Sequence, residues 1–289
     1  MNADATAVHL AGELQAVLGE EPIDLVRAAL VIAKLEYPQL DPRPSIDELA
    51  RIGERARRRL DELTPHSGRD GIAALNRVLF EEERFAGNRA HYDDFRNSLL
   101  NVVLERRLGI PITLGLVYID VARQAGVPVA GIAFPGHFLL SAKPDPRHDA
   151  VVLDPFSGGA ELDDTACRAL LAHRVGSEAP YTRLLLEPCT PRQLVARMLN
   201  NLKRTYVELR SFQQARRAAH LLLAADPTLL SELRDRGLLA YHLDDYPAAL
   251  RDLEDYLRLH VWSDERDPDE QKQIWEHVKN LKRRLAGLN

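Results

Sequence analysis

The chain has 289 residues, 45% hydrophobic and 28% charged, with a formal net charge of −5. That length suits two domains and the composition is too apolar for a disordered chain. The mild charge, with no basic block standing apart from acidic neighbours, argues against nucleic acid as a partner. Cys167 and Cys189 are the only cysteines, they are not spaced as a metal-binding pair, and no His-rich cluster accompanies them; no metal or cofactor is expected. The first residues carry Asp4, Glu13, Glu20 and Glu21 and no basic start, unlike a signal peptide, and no stretch reaches the roughly 18 apolar residues of a membrane span. A cytoplasmic protein is expected.

In chain order, Ile23 to Tyr37 places Leu25, Ala28, Ala29, Ile32 and Leu35 on one side, which predicts an amphipathic helix. Pro38, Pro42 and Pro44 break it, and Ser45 with Glu48 three residues on predicts a capping box opening a second helix to Leu63. In that helix Arg55, Arg57, Arg58 and Arg59 are followed by Asp61 and Glu62 and read as a solvated face. Thr64 to Gly71 reads as a loop, Ile72 to Glu83 as a third helix, Asn97 to Arg107 as a fourth, and Leu114 to Ala125 as a buried helix ended by Gly126-Val-Pro128. Short apolar runs at Val129 to Phe134, Phe138 to Ser141 and Ala150 to Leu153, separated by turns at Pro135-Gly136 and Lys143 to Arg147, predict strands. One buried helix beside several short strands is an α+β arrangement.

The remainder is helical and repeats. At an offset of about 34 residues, Leu199 matches Leu233, Leu209 matches Leu243, Phe212 matches Tyr246 and Ala215 matches Ala249; this period and these residue types are those of tetratricopeptide (TPR) repeats. Asp226-Pro227 closes the first unit; the second has Gly237 at the small position and ends in Val261-Trp262, and Glu270 to Leu285 reads as a helix covering the end of the stack. A plain helical bundle is the alternative.

Arg107 to Leu140, with Pro111, Thr113 and the run Pro135-Gly-His137-Phe, followed by Leu153-Asp154-Pro-Phe156, resembles the transglutaminase-like superfamily. It resembles in particular the bacterial branch that joins this domain to TPR repeats and is named for the regulator SirB. Leu35-Glu-Tyr-Pro38, Tyr92 to Asn101 and Met198 to Lys203 extend the resemblance over nearly the whole chain. It implies N-terminal helices on a papain-like α/β core, then an all-α TPR-like part, with divisions at 1–88, 89–188 and 190–289.

In active members of the superfamily a cysteine begins the buried helix, a histidine lies on a following strand and an aspartate on the next. The resemblance puts the histidine at His137 and the aspartate at Asp154, but at the cysteine position this chain has Thr113; serine or threonine is usual there in this branch. A helix dipole and an imidazolium can ionise a thiol but not an alcohol. Thr113, His137 and Asp154 therefore read as a degenerate triad, with Thr113 as a helix N-cap and the other two as a hydrogen bond pinning two strands. A Thr–His–Asp hydrolase or acyl-transferase is the rival reading, and a transglutaminase using Cys167 a remote one. Asn97, Ser98, Asn101 and Glu105 form a polar stripe, either lining the cleft or making a structural network.

TPR modules bind through the first helix of each repeat. Arg197, Asn200 and Arg204, with Arg234 and Tyr241 in the second unit, would there clamp a protein or peptide, an acidic one by preference. Alternatively, the α/β part covers this face and the arginines pair with its acids. The function expected is a non-catalytic scaffold or regulatory module.

Overall fold

The computed structural model describes residues 3–63, 68–143, 150–260 and 268–286. They form two compact units, one of Glu20–Met198 and one of Met1–Gly19 together with Leu199–Asn289. Helix α1 (Ala3–Leu18) belongs to the latter. The division read from the sequence placed residues 1–88 in a single segment. The structure instead pairs the first helix with the far end of the chain, a non-local contact that no local pattern announces.

Unit Glu20–Met198 opens with α2 (Leu25–Ala33) and α3 (Arg43–Asp61). Helix α3 starts two residues before the Ser45 cap expected from sequence. Pro44 lies in its first turn, where proline costs no hydrogen bond, and Pro42 is the N-cap. Ser45 is buried, and Glu48 pairs with Arg51 and Arg107 instead of capping. Helix α4 (Gly68–Asn76) runs on as a π-helical turn, Arg77–Glu82. The strand β1 (Ala86–Gly87), parallel to β2 (Leu108–Gly109), brackets a 3₁₀ turn and α5 (Leu100–Arg106).

Helix α6 (Pro111–Ala125) is the core. Ile112, Leu116, Val117, Tyr118, Val121 and Ala122 are almost wholly buried, and Gly126 ends the helix at φ 78°. Helix α6 packs on α3 and on an antiparallel sheet in the order β3 (Val129–Ile132), β4 (Leu139–Ala142), β5 (Val151–Asp154), β6 (Ala160–Leu162). The register sets Ile132 against Leu139 and Leu140 against Leu153. Helix α7 (Asp164–Arg174) seals the sheet with Cys167 and Leu171. Arg55 and Arg59, expected to be solvated, bind Glu83 at 3.1 Å and Glu82 at 2.9 Å. Of the loop expected over Thr64–Gly71, Gly68 onward is helical and the rest lies outside the described residues, as does most of the Lys143–Arg147 turn.

Helix α8 (Pro191–Glu208) spans the residue at which the units divide. The repeat unit continues with α9 (Phe212–Ala225), α10 (Leu230–His242), α11 (Tyr246–His260) and α12 (Pro268–Ala286). The repeat residues behave as their types dictate. Ala215 and Ala249 are fully buried, and a Cβ on Gly237 would come within 2.8 Å of Leu253. Ala240, Leu253, Tyr256, Ile274, Val278 and Leu281 close α10 to α12 into one core. Helix α1 lies along α9, and Gln15 donates from Nε2 to the Ala224 carbonyl at 3.2 Å. The Val261-Trp262 end of the second repeat lies outside the described residues. No helix among the described residues is long and apolar enough to cross a membrane.

Candidate functional site

The site is assembled by a turn, a strand end and a helix start, all in unit Glu20–Met198. Phe134-Pro-Gly-His137 closes with His137 N–H donating to the Phe134 carbonyl at 3.1 Å. Gly136 takes φ 65°, a value that favours glycine at the third position of a type II turn. Arg197 fixes both ends of this turn, donating from one Nη to the Phe134 carbonyl at 2.6 Å and to the His137 carbonyl. Because Leu140 faces Leu153, the end of β5 arrives beside the chain entering β4. There Nε2 of His137 meets Oδ1 of Asp154 at 3.0 Å. Asp154 also accepts from the Phe156 N–H at 2.9 Å and holds the Ser157 hydroxyl.

Burial raises the Asp154 pKa, but the His137 bond and charge, with the bonds from Ser157 and the Phe156 N–H, outweigh it and hold the group below its ordinary value. Two more carboxylates of this unit are held down. Glu48 falls to about 2, chiefly through its Arg51 bond and further through Arg107. Asp94 also reaches about 2, burial being outweighed by bonds from Arg96 and Arg106. Carboxylates with depressed folded pKa values stabilise fully above their unfolded pKa near ~4, and that contribution is lost as pH falls through the folded value. The expected result is acid unfolding of this unit between about pH 4 and pH 2, with a shallower profile in Glu48→Gln. Far-UV circular dichroism during acid titration measures it; a profile flat to pH 2 would refute the assignment.

Thr113 is where the degenerate-triad expectation meets its geometry. Ile110 is the N-cap of α6 and Pro111 its first residue, so Thr113 is the third helical residue and not the cap. Its hydroxyl accepts from the Ile110 N–H at 3.2 Å and donates to the Asn97 carbonyl at 2.7 Å. Ile110 has no side-chain acceptor, so only the return half of a capping box exists. Asn97 is itself locked, accepting from Asn88 at 2.9 Å and donating to the His91 carbonyl at 2.7 Å. Of the polar stripe, Asn97 is thus in a hydrogen-bonded network, Asn101 Oδ1 is buried without a partner, and the four residues are split between the 3₁₀ turn and α5.

The three residues are closed off from solvent: Thr113 is 0% exposed, His137 3% and Asp154 6%. The Phe156 ring stands edge-on to His137 at 6.2 Å and to Tyr92 at 5.7 Å, with the Arg89 guanidinium 5.0 Å above it. Nδ1 of His137 is buried without a hydrogen-bond partner. Cys167 lies in the core behind the sheet, among Ile132, Phe134 and Leu139, with its thiol pKa raised by burial. Cys189 borders β3, and its thiol pKa is raised for the same reason. Both thiols are free.

The residues expected on one repeat face separate. Arg197 is engaged with the His137 turn. Arg234 bonds Asp235 at 2.8 Å and Glu270. Tyr241 packs on Tyr246 at 5.9 Å and on His277 at 5.3 Å. Asn200 and Arg204 stay exposed and line a cavity of about 400 Å³ with Lys203, Val207 and Asp235. Sequence reasoning missed the pairing of Lys203 with Glu232 and Asp235, each at 2.7 Å; its only trace was a lysine among apolar helix positions.

Known proteins match in the same order. A family model described as the transglutaminase-like superfamily matches residues 44–200, and a tetratricopeptide repeat model matches residues 202–281. The UPF0162 protein of Xylella fastidiosa (strain Temecula1) is 38% identical over 85% of this chain and 87% of its own length. Protein SirB1 of Salmonella typhimurium is 25% identical over 72% of this chain and 76% of its own. F-box only protein 21 of Homo sapiens is 34% identical over 61% of this chain but only 28% of its own. With a transglutaminase-like core followed directly by tetratricopeptide repeats, the chain belongs to the SirB-type transglutaminase-like/TPR family.

Proposed function

We propose that the protein is a non-catalytic, cytoplasmic module that binds protein or peptide, its transglutaminase-like core acting as scaffold and its repeats as the recognition part. The observation that carries this reading is the Thr113 hydroxyl, fully buried and committed to the Asn97 carbonyl and the Ile110 N–H. A nucleophile must reach its substrate and give its proton to a base; this hydroxyl points at backbone. TPR repeats supply the binding class, and the exposed Asn200 and Arg204 favour an acidic segment. Two free thiols, one of them fully buried, suit a reducing compartment.

One observation favours the hydrolase reading instead. Nδ1 of His137 is unpartnered, and in a triad with Asp154 on Nε2 that nitrogen is the one left for a nucleophile. The test compares wild type, Thr113→Val and the double variant Asn200→Ala/Arg204→Ala, each checked for folding. A panel of ester and amide substrates and affinity capture from cell lysate are run on all three. The expected outcome is no turnover distinguishable between wild type and Thr113→Val, and a captured protein lost only with the double variant. Turnover abolished by Thr113→Val, or a covalent adduct on Thr113, would establish the enzyme.

A further inference from the structure

A concentration of unused positive charge lies away from both surfaces discussed above. On the side of the second helices of the two repeats, α1, α9, α10 and α11 line a cavity of about 550 Å³. This volume falls within the range of small-molecule sites. Arg216, Arg217, Arg236 and Arg251 all line it, against two carboxylates, Asp245 and Asp252.

Both carboxylates are already consumed. Arg216 binds Asp245 at 2.9 Å, and Arg236 grips Asp252 through two bonds of 2.7 Å. Arg217 and Arg251 have no acidic partner among the described residues. The Nε of Arg217 is moreover buried without an acceptor. A desolvated donor left unmade is costly, and an incoming oxyanion would satisfy it. Arg236 also donates to Nδ1 of His220 at 3.0 Å. Ala7, Val8 and Ala248 supply apolar wall beside this charge.

We infer that this cavity binds a small organic anion through the phosphate or carboxylate groups that Arg217 and Arg251 are free to receive. Its volume and its lining by four helices favour a small molecule over an extended acidic peptide. The site shares no lining residue with the partner-binding face proposed above, although α10 contributes Arg236 to the one and Asp235 to the other.

Calorimetric titration with inorganic pyrophosphate, at ionic strength matched with sodium chloride, is the test. It is applied to the full chain as wild type, Arg217→Gln, Arg251→Gln and the control Arg258→Gln. Arg258 is exposed and paired with Asp255 on α11, outside the cavity. Melting curves confirm that each variant is folded. Saturable binding by wild type is expected, at least tenfold weaker in Arg217→Gln and in Arg251→Gln and within twofold of wild type in Arg258→Gln. The inference is overturned by the absence of saturable binding, or by equal weakening in all three variants, which would mean charge screening only. It is equally overturned if hexaglutamate binds through Arg217 and Arg251 while pyrophosphate does not, which would make the cavity a peptide site.

Discussion

Replacing Lys203 with methionine is expected to destabilise the repeat unit by about 3–5 kcal/mol, the range for removing one partner of a buried ion pair. Lys203 is 9% exposed and Glu232 4%, and the ammonium reaches both Glu232 oxygens and Asp235 at 2.7 Å. Asp235 keeps Arg234 when the lysine is lost; Glu232 keeps no partner of that kind. Burial already holds the Glu232 pKa above its ordinary value despite the lysine. A carboxyl whose folded pKa is raised favours the folded state at low pH, and that advantage disappears as pH rises through the folded value. Without Lys203 the gap between folded and unfolded pKa widens, so the deficit should be greatest near pH 8 and shrink on acidification. Trp262 and Trp275, the only tryptophans, both lie in Leu199–Asn289, so urea unfolding followed by their fluorescence reads this unit. Adding Glu232→Leu should recover most of the loss. A single-variant loss under about 1 kcal/mol, typical of a surface pair, would show that the pair is solvated in solution.

The second large effect concerns Asp154. Asp154→Ala removes the acceptor of the Phe156 N–H and the partner of His137 Nε2 at once. Two buried donors are then unsatisfied, at about 1–3 kcal/mol each, so a cost of about 2–6 kcal/mol is expected. His137→Leu should cost less, because Asp154 retains the Phe156 N–H and Ser157. Hydrogen exchange over β4 and β5 measures this, with protection falling roughly 30-fold or more in Asp154→Ala. The order of the two variants also bears on function. In a working triad both would abolish turnover, and their effects on exchange would be incidental. In a scaffold the exchange difference is the principal phenotype.

The sequence was most informative where one residue type has one physical use. Pro135-Gly136 specified its turn, Gly126 ended α6, and the alanines and glycine of the repeats marked close helix approach. The helix α3 start was misplaced because Pro44 and Ser45 compete as start markers and proline takes the first turn. Strands β1 and β2 have two residues each, too few for any periodicity to show. Thr113 shows the other limit. Its degeneracy was legible from one letter, but the direction of its hydroxyl depends on the Asn97 carbonyl, 16 positions away. Likewise the bonds of Arg197 reach 63 and 60 positions back, a distance at which helical spacing carries no information.

The placement of α1 sets an order on how the molecule is made. Its apolar stripe of Leu10, Leu14, Val17 and Leu18 leaves the ribosome long before α9, Gln15 and Ala224 being 209 positions apart. At roughly 5–20 residues per second that is a wait of roughly 10–40 s. During it, Glu20–Met198 is completed in full as an internal domain threaded between two halves of another. Closing so long a loop adds little entropy cost per added residue, so the finished unit is stable. Nascent chains halted before α9, however, carry an uncovered apolar helix. Such truncated products are expected to be the ones that chaperones retain.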